Sequence, residues 1–410
     1  MIDAMNAPGS GGYRPRHSAP STHKRVLAPV LLLVGMAALV LGAAGIVAAG
    51  SGPFAAGMGT FFALLPVIPA VAILLWIDRW EPEPGRLLFG AFLWGAGIAT
   101  IASAVTSLLL DHAWASAVGP KASQILGIVL GAPVFEELFK GLFLILLLWF
   151  RRREFDGLVD GIVYAGLVGV GFAFTENILY LSSAFASEGV SGGIQLFIIR
   201  CVLSPFAHPI FTGMIGIAVG IAARTTRTWL RVILPCIGYL FAVCLHALWN
   251  GSAALATFSF WGVYTAVMLP LLTGVVFLVL WNRRREQRIV ATRLPQFVAL
   301  GWIAGEEVRL LSSLHNRRGW RRAVRRSCGR EAAAAVDAYH TAITELAFLH
   351  ERFEHGAIGP RSRAWHDQLL TSMRAARSEA LRYSQAVAAA VRPRQPHPGR
   401  DLGAGSNDQN

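Results

Sequence analysis

Ser123 to Phe150 reads SQILGIVLGAPVFEELFKGLFLILLLWF. The run can cross a bilayer core, which takes about 20 apolar residues. Its middle nevertheless carries Glu136, Glu137 and Lys140. A charge at that depth costs at least about 2.5–3.5 kcal/mol, so each one is a functional hypothesis by default. Glu136 and Lys140 are four apart, share a helix face and can pair. Glu137 points about 100° away, toward another neighbour. An ion pair stapling two helices accounts for Glu136 and Lys140 but leaves the second glutamate without a structural reason.

The rest of the chain fits this reading. Of 410 residues, 54% are apolar and 15% charged, whereas soluble domains run near 25% charged. A purely soluble enzyme is excluded. The net charge of +13 comes mostly from the C-terminal part, with 22 basic and 12 acidic residues from Arg283 onward. The apolar part is nearly neutral, which sets nucleic acid aside as a partner. Cys201, Cys236 and Cys244 lie in apolar runs and Cys328 in the basic tail. They form neither a zinc knuckle nor a disulfide framework.

The predicted fold is an all-α, polytopic membrane helical bundle with a C-terminal cytosolic helical region. Eight spans are expected, near 26–50, 54–77, 87–110, 123–150, 158–184, 193–222, 229–252 and 259–282. With the N-terminus inside, sixteen Lys and Arg fall on inner segments and only Lys121 on an outer one. That asymmetry places both termini in the cytoplasm, and the expected location is the plasma membrane. The expected domains are a disordered tail at 1–23, a membrane domain at 24–282, a basic helical domain at 283–391 and a disordered tail at 392–410. Leu310, Leu311 and Leu314 with Arg317, Arg318, Arg321, Arg322, Arg325 and Arg326 read as a basic amphipathic helix. It has either a solvated basic face or one lying on anionic headgroups.

Further polar residues interrupt later spans: Glu176 and Asn177 in the fifth, Arg200 and His208 in the sixth, His246 and Asn250 in the seventh. Taken singly, the asparagines and histidines can be interhelical hydrogen-bonding residues. Together with Glu136, Glu137 and Lys140 they are nine costly residues in four successive helices, while the first three spans hold no ionisable residue except at their ends. One shared polar cavity is the economical explanation. Two histidines with carboxylates form a zinc-like ligand set, with a further glutamate to activate water. Without metal, a glutamate base with His and Asn stabilising an oxyanion is equally available. Arg200 stays outside the core set, since it can neutralise a glutamate or reach the outer headgroups.

These motifs resemble the PrsW family of bacterial intramembrane proteases, in the superfamily that includes the CAAX prenyl proteases. They are Glu136-Glu137-x-x-Lys140, Phe172-x-x-x-Glu176 followed by Asn177, His208, and His246-x-x-x-Asn250. The Glu-Asn form of the second motif and the segment from Asp78 to Pro84 match the PrsW branch. The resemblance spans roughly residues 60–280. It implies cleavage of a single-span membrane protein in the lipid bilayer, with transmembrane anti-sigma factors cut from outside as the best-known substrates. It further implies Glu136 or Glu137 as water-activating base, with His208 and His246 as metal ligands or oxyanion stabilisers. Glu176 joins the expected catalytic set and, with the two histidines, the expected metal set; Lys140, Asn177 and Asn250 support it. The cofactor is zinc, or none.

Two rivals remain. One is processing of lipidated or bacteriocin-like peptides, and the other is a proton- or ion-coupled transporter, for which the absence of internal repeats is unfavourable. Residue counting puts the polar set in the outer half of the bilayer, so the cavity is expected to open outward.

Overall fold

Gly52 and Gly119 have positive φ, 82° and 84°, and each precedes a proline that opens the next helix. Glycine tolerates that backbone and proline suits a first helical turn, so single residues reverse the chain there. In this way the computed structural model, which describes residues 22–80, 83–151, 155, 157–225, 227–255, 257–354 and 362–382, packs long helices against one another. The helices are α1 (Thr22–Ser51), α2 (Pro53–Ile77), α3 (Gly85–Val118), α4 (120–150), α5 (Leu158–Ser187), α6 (Gly189–Arg224), α7 (Thr228–Leu255) and α8 (257–299). Thr22 and His23 begin α1; the rest of the tail expected at 1–23, and the tail at 392–410, lie outside the described residues.

All of these except α4 are long and apolar enough to cross a membrane. The eighth expected span is α4, unbroken from 120 to 150 and set apart by the charges at its centre. The protein is a multi-pass, all-α membrane protein, with no strand among the described residues.

The most enclosed helix is α5, which packs on α2, α3 and α6. Small residues bring its backbone close to theirs. A Cβ added at Gly169 would lie 2.8 Å from the Pro209 nitrogen and 2.9 Å from the His208 carbonyl oxygen. That close approach sets His208 against α5. The sixth span is itself broken: a π-helical turn, Ile198–Leu203, ends at Ser204, and an α-helix restarts at Ala207. Pro205 and Pro209 flank the break, where missing backbone donors cost least. In α4 a second π-helical turn, Gly127–Gly131, precedes Pro133. The π pattern would pair the Ile128 carbonyl with residue 133, and proline has no N–H to give. Asn250 of α7 supplies the donor instead, its Nδ2 lying 3.0 Å from the Ile128 oxygen.

Beyond Trp281 the apolar run ends but the helix does not: α8 continues to Ala299. The expected boundary at 282/283 therefore falls inside one helix. Val290, Leu294 and Phe297 on its far end enter a second core. That core is completed by α9 (Gly305–Leu311), α10 (Leu314–Glu354, kinked at Gly329, φ 88°) and α11 (Ser362–Leu381). Trp80, from the connection after α2, is buried in the same core. Arg317 stacks over its ring at 4.9 Å and donates to the Leu311 and His340 carbonyls and to Thr344. Arg317 thus departs from the exposed basic face read from sequence, because three acceptors and an indole replace its water. Arg318, Arg322, Arg325 and Arg326 remain exposed.

Candidate active site

Lys140 is the centre of the polar cluster and is fully buried. Its ammonium lies 3.2 Å from Glu136 Oε2, 2.9 Å from Glu137 Oε1 and 3.0 Å from His208 Nδ1, and 3.7 Å from the Phe172 ring centroid. The two glutamates are adjacent in sequence but differently placed. Glu137 is wholly enclosed: it accepts from Lys140, from Thr212 Oγ1 at 3.0 Å and pairs with His246 Nδ1 at 3.0 Å. Glu136 keeps some exposure and lines a cavity of about 350 Å³.

Each histidine is fixed by a carboxylate on one ring nitrogen. Glu176 Oε2 lies 2.7 Å from His208 Nε2, and Glu137 Oε1 lies against His246 Nδ1. An ionised carboxylate only accepts, so these nitrogens carry the protons. The other nitrogens then present lone pairs. The His208 Nδ1 lone pair accepts a hydrogen bond from Lys140, an ammonium that can only donate, so both neighbours of His208 select the same tautomer. His246 Nε2 faces Glu136 Oε2 at 3.8 Å. The rings of His208 and His246 are 5.2 Å apart, and Phe211 stacks on His246 at 4.7 Å.

Glu136, His208 and His246 bring one ligand atom each within 4.8 Å of one another. The donor set, one carboxylate oxygen and two imidazole lone pairs backed by outer carboxylates, is what a zinc-like ion takes. The expected metal set differed in one member: Glu176 stands behind His208, on the ring nitrogen turned away from this group. Asn250 also stands one step back, bonded to α4 rather than to the cluster.

The cavity runs between α2, α4, α5, α6 and α7, with Glu136, Glu176, Arg200 and His208 in its wall. Its remaining lining includes Tyr180, Leu196, Ala253 and Phe260, toward the end of the bundle that carries the Gly52 and Gly119 turns. Arg200, set aside at first, is part of the cluster: it bonds Glu176 at 2.6 Å and Asn177 at 2.8 Å. Thr212 was missed. Its only sequence signal is a position one turn after His208, which many packing threonines share.

A family model described as PrsW family intramembrane metalloprotease matches residues 83–286. A protease PrsW from Geobacillus kaustophilus is 30% identical over 177 residues, 41% of this chain and 72% of the relative. The chain belongs to the PrsW family. Other proteins named protease PrsW agree: that of Oceanobacillus iheyensis is 30% identical, covering 37% of this chain and 63% of the relative. That of Clostridioides difficile is 32% identical, covering 37% and 62%. No solved structure matches. Membership makes the chain an intramembrane protease, and the matched PrsW range holds all nine polar residues while ending within α8. The helices α9, α10 and α11 lie beyond it.

Proposed function

We propose that Glu136 activates the water that hydrolyses a peptide bond of a single-span membrane protein, entering the cavity from the side of the Gly52 and Gly119 turns. The observation that carries this is the unequal placement of the two glutamates. Glu137 is held by three donors and wholly enclosed, away from the cavity wall, so water does not reach it to give up a proton. Glu136 borders the cavity, and a nearby lone pair on His246 can share the proton load. Lys140 holds Glu136 in place and offsets the charge that develops on the attacked carbonyl.

Glu136, His208 Nδ1 and His246 Nε2 are the residues that would hold zinc, and with it bound Glu136 would act as a ligand and not as the free base. A bound ion would polarise the scissile carbonyl and lower the pKa of water. The Lys140 ammonium at His208 Nδ1 favours the second reading, a metal-free glutamate peptidase in which that cation fills the same role. Metal content of the purified protein, with activity before and after chelation, separates the two.

The sixteen-to-one charge asymmetry supports both termini in the cytoplasm of a plasma-membrane protein. The cavity then faces outward, which fits initiating, site-1-type cleavage of a transmembrane anti-sigma factor. Reporter fusions after Ser187 should be external and those after Arg288 cytoplasmic. The deciding assay is cleavage of a single-span substrate by the detergent-purified chain. Loss of cleavage in Glu136→Gln, with product termini at the outer end of the substrate span, is expected. A cut on the cytoplasmic flank, or an active Glu136→Gln, defeats the reading.

A further inference from the structure

Arg200 reaches three consecutive features on one face of α5. Its Nη2 donates to Glu176 Oε2 at 2.6 Å, its Nε donates to Asn177 Oδ1 at 2.8 Å, and its guanidinium lies 4.3 Å from the Tyr180 ring centroid. Glu176 and Asn177 are neighbours in sequence and Tyr180 is one turn on. A planar fork can serve adjacent acceptors and a ring at once, which a point-like ammonium cannot. The π-helical turn Ile198–Leu203 is what presents Arg200 here, just before the break that starts the His208 helix.

We propose that Arg200 is a positioning residue for the hydrolytic site: by clamping the Glu176 carboxylate it keeps that acceptor aimed at His208 Nε2, and so keeps the His208 Nδ1 lone pair turned toward Lys140 at the centre of the cluster. The chain of contacts is continuous. The same Glu176 Oε2 that takes the Arg200 hydrogen bond lies 2.7 Å from His208 Nε2. The opposite ring nitrogen is 3.0 Å from Lys140. If the clamp opens, the carboxylate is free to swing into the cavity, and the ring loses the partner that fixes its orientation. Asn177 gains a reason as well, since its carbonyl oxygen holds the second prong of the fork. The Glu-Asn pair acts as a seat for Arg200 and not as two separate site groups.

The inference rests on the proposed role of His208, and its test is chosen to stand apart from it. Nitrogen-15 spectra of histidine-labelled full-length protein in detergent report the His208 ring directly, whether or not the site turns over. The unaltered protein should show a single Nε2–H form protected from solvent exchange. Arg200→Gln should lose that protection and lower kcat about 10- to 100-fold, the usual cost of removing an outer partner of a site histidine, with KM within about twofold. Arg200→Lys should fall between the two, because it restores charge without the fork. Asn177→Ala should weaken protection less than Arg200→Gln. Should Arg200→Gln not fold, the Arg200→Lys and Asn177→Ala spectra decide the matter. Unchanged His208 protection and kcat in the variants that fold overturn the proposal. A protein whose Glu136→Gln form still cleaves, but whose His208 loses protection in Arg200→Gln, leaves the clamp standing and rejects the hydrolytic reading instead.

Discussion

Glu307 in the C-terminal helical region accepts from Tyr339 at 2.6 Å, from Arg377 at 2.5 Å and from the Ala304 amide at 2.8 Å. Glu137 in the membrane bundle accepts from Lys140, His246 and Thr212 at 2.9–3.0 Å. Both carboxylates are buried and both are satisfied, so burial with full pairing does not mark an active site. What differs is the next residue outward. Tyr339 and Arg377 hold Glu307 and go no further. The Lys140 ammonium also reaches Glu136, and His246 turns its other ring nitrogen toward Glu136, which borders the cavity. The histidines repeat the contrast. His208 and His246 each have a carboxylate on one ring nitrogen, whereas His340 lies among Arg317 and Arg321 and its Nε2 has no partner among the described residues.

The sharpest break in the comparison is in turnover. Glu136→Gln should lower activity about 10²- to 10⁴-fold, the range for a lost general base, while Glu307→Gln should leave the site chemistry intact. Equal losses in the cleavage assay would mean that Glu136 is no more a site residue than Glu307. Glu137→Ala comes next. It takes the acceptor from His246 Nδ1 and Thr212 and the nearest of three from Lys140, and a buried ion pair that loses one partner costs about 3–5 kcal/mol. Thermal unfolding in detergent should show a large fall for Glu137→Ala and little change for Glu136→Gln. The reverse order would exchange the two glutamates' roles. A smaller effect is expected at the join of the two regions. Trp80→Ala should cost about 3 kcal/mol, the lower end for emptying a buried ring site, and should raise amide exchange across α9 to α11. If exchange there is unchanged, Trp80 does not fasten the C-terminal helices to the bundle.

Much of this was legible in the sequence because membranes make polarity expensive. The cost of burying Glu136, Glu137, Glu176 or Lys140 in an apolar run marks them, and the same cost makes their convergence the economical solution. Helix positions followed from the apolar runs. The end of α8 did not, since past Trp281 it is held by packing against α10 and no longer by apolar composition. Arg200 carried the same membrane cost as the glutamates, but its acceptors sit on another helix and only folding brings them within reach. Thr212 and the burial of Arg317 have no local signal at all. Thr212 resembles any packing threonine, and Arg317 belongs to a row of arginines whose other members are exposed or half-buried. The choice between Glu136 and Glu137 was likewise closed to the sequence, because adjacent residues differ only in what faces them.

His340 gives the mildest test, and its direction can be worked out from the contrast with His208. Burial, with the Arg317 and Arg321 charges adding to it, pushes the His340 imidazole down to about 3 from its ordinary 6.5. Above pH 6.5 the folded and unfolded chains both carry it neutral, and pH has no effect through this group. As pH falls from 6.5 toward 3, the unfolded chain binds a proton that the folded one refuses. Stability then declines by at most about 1.4 kcal/mol per pH unit. His340→Gln removes the titrating group without removing a hydrogen bond at Nε2, where none is made. Protection factors of the α10 amides, referred to the intrinsic exchange rate at each pH, should therefore fall between pH 7 and pH 4 in the unaltered protein and fall less in the variant. An identical acid response in both would assign the acid sensitivity to other groups, and would leave His340 as an inert packing residue in a core that tolerates it.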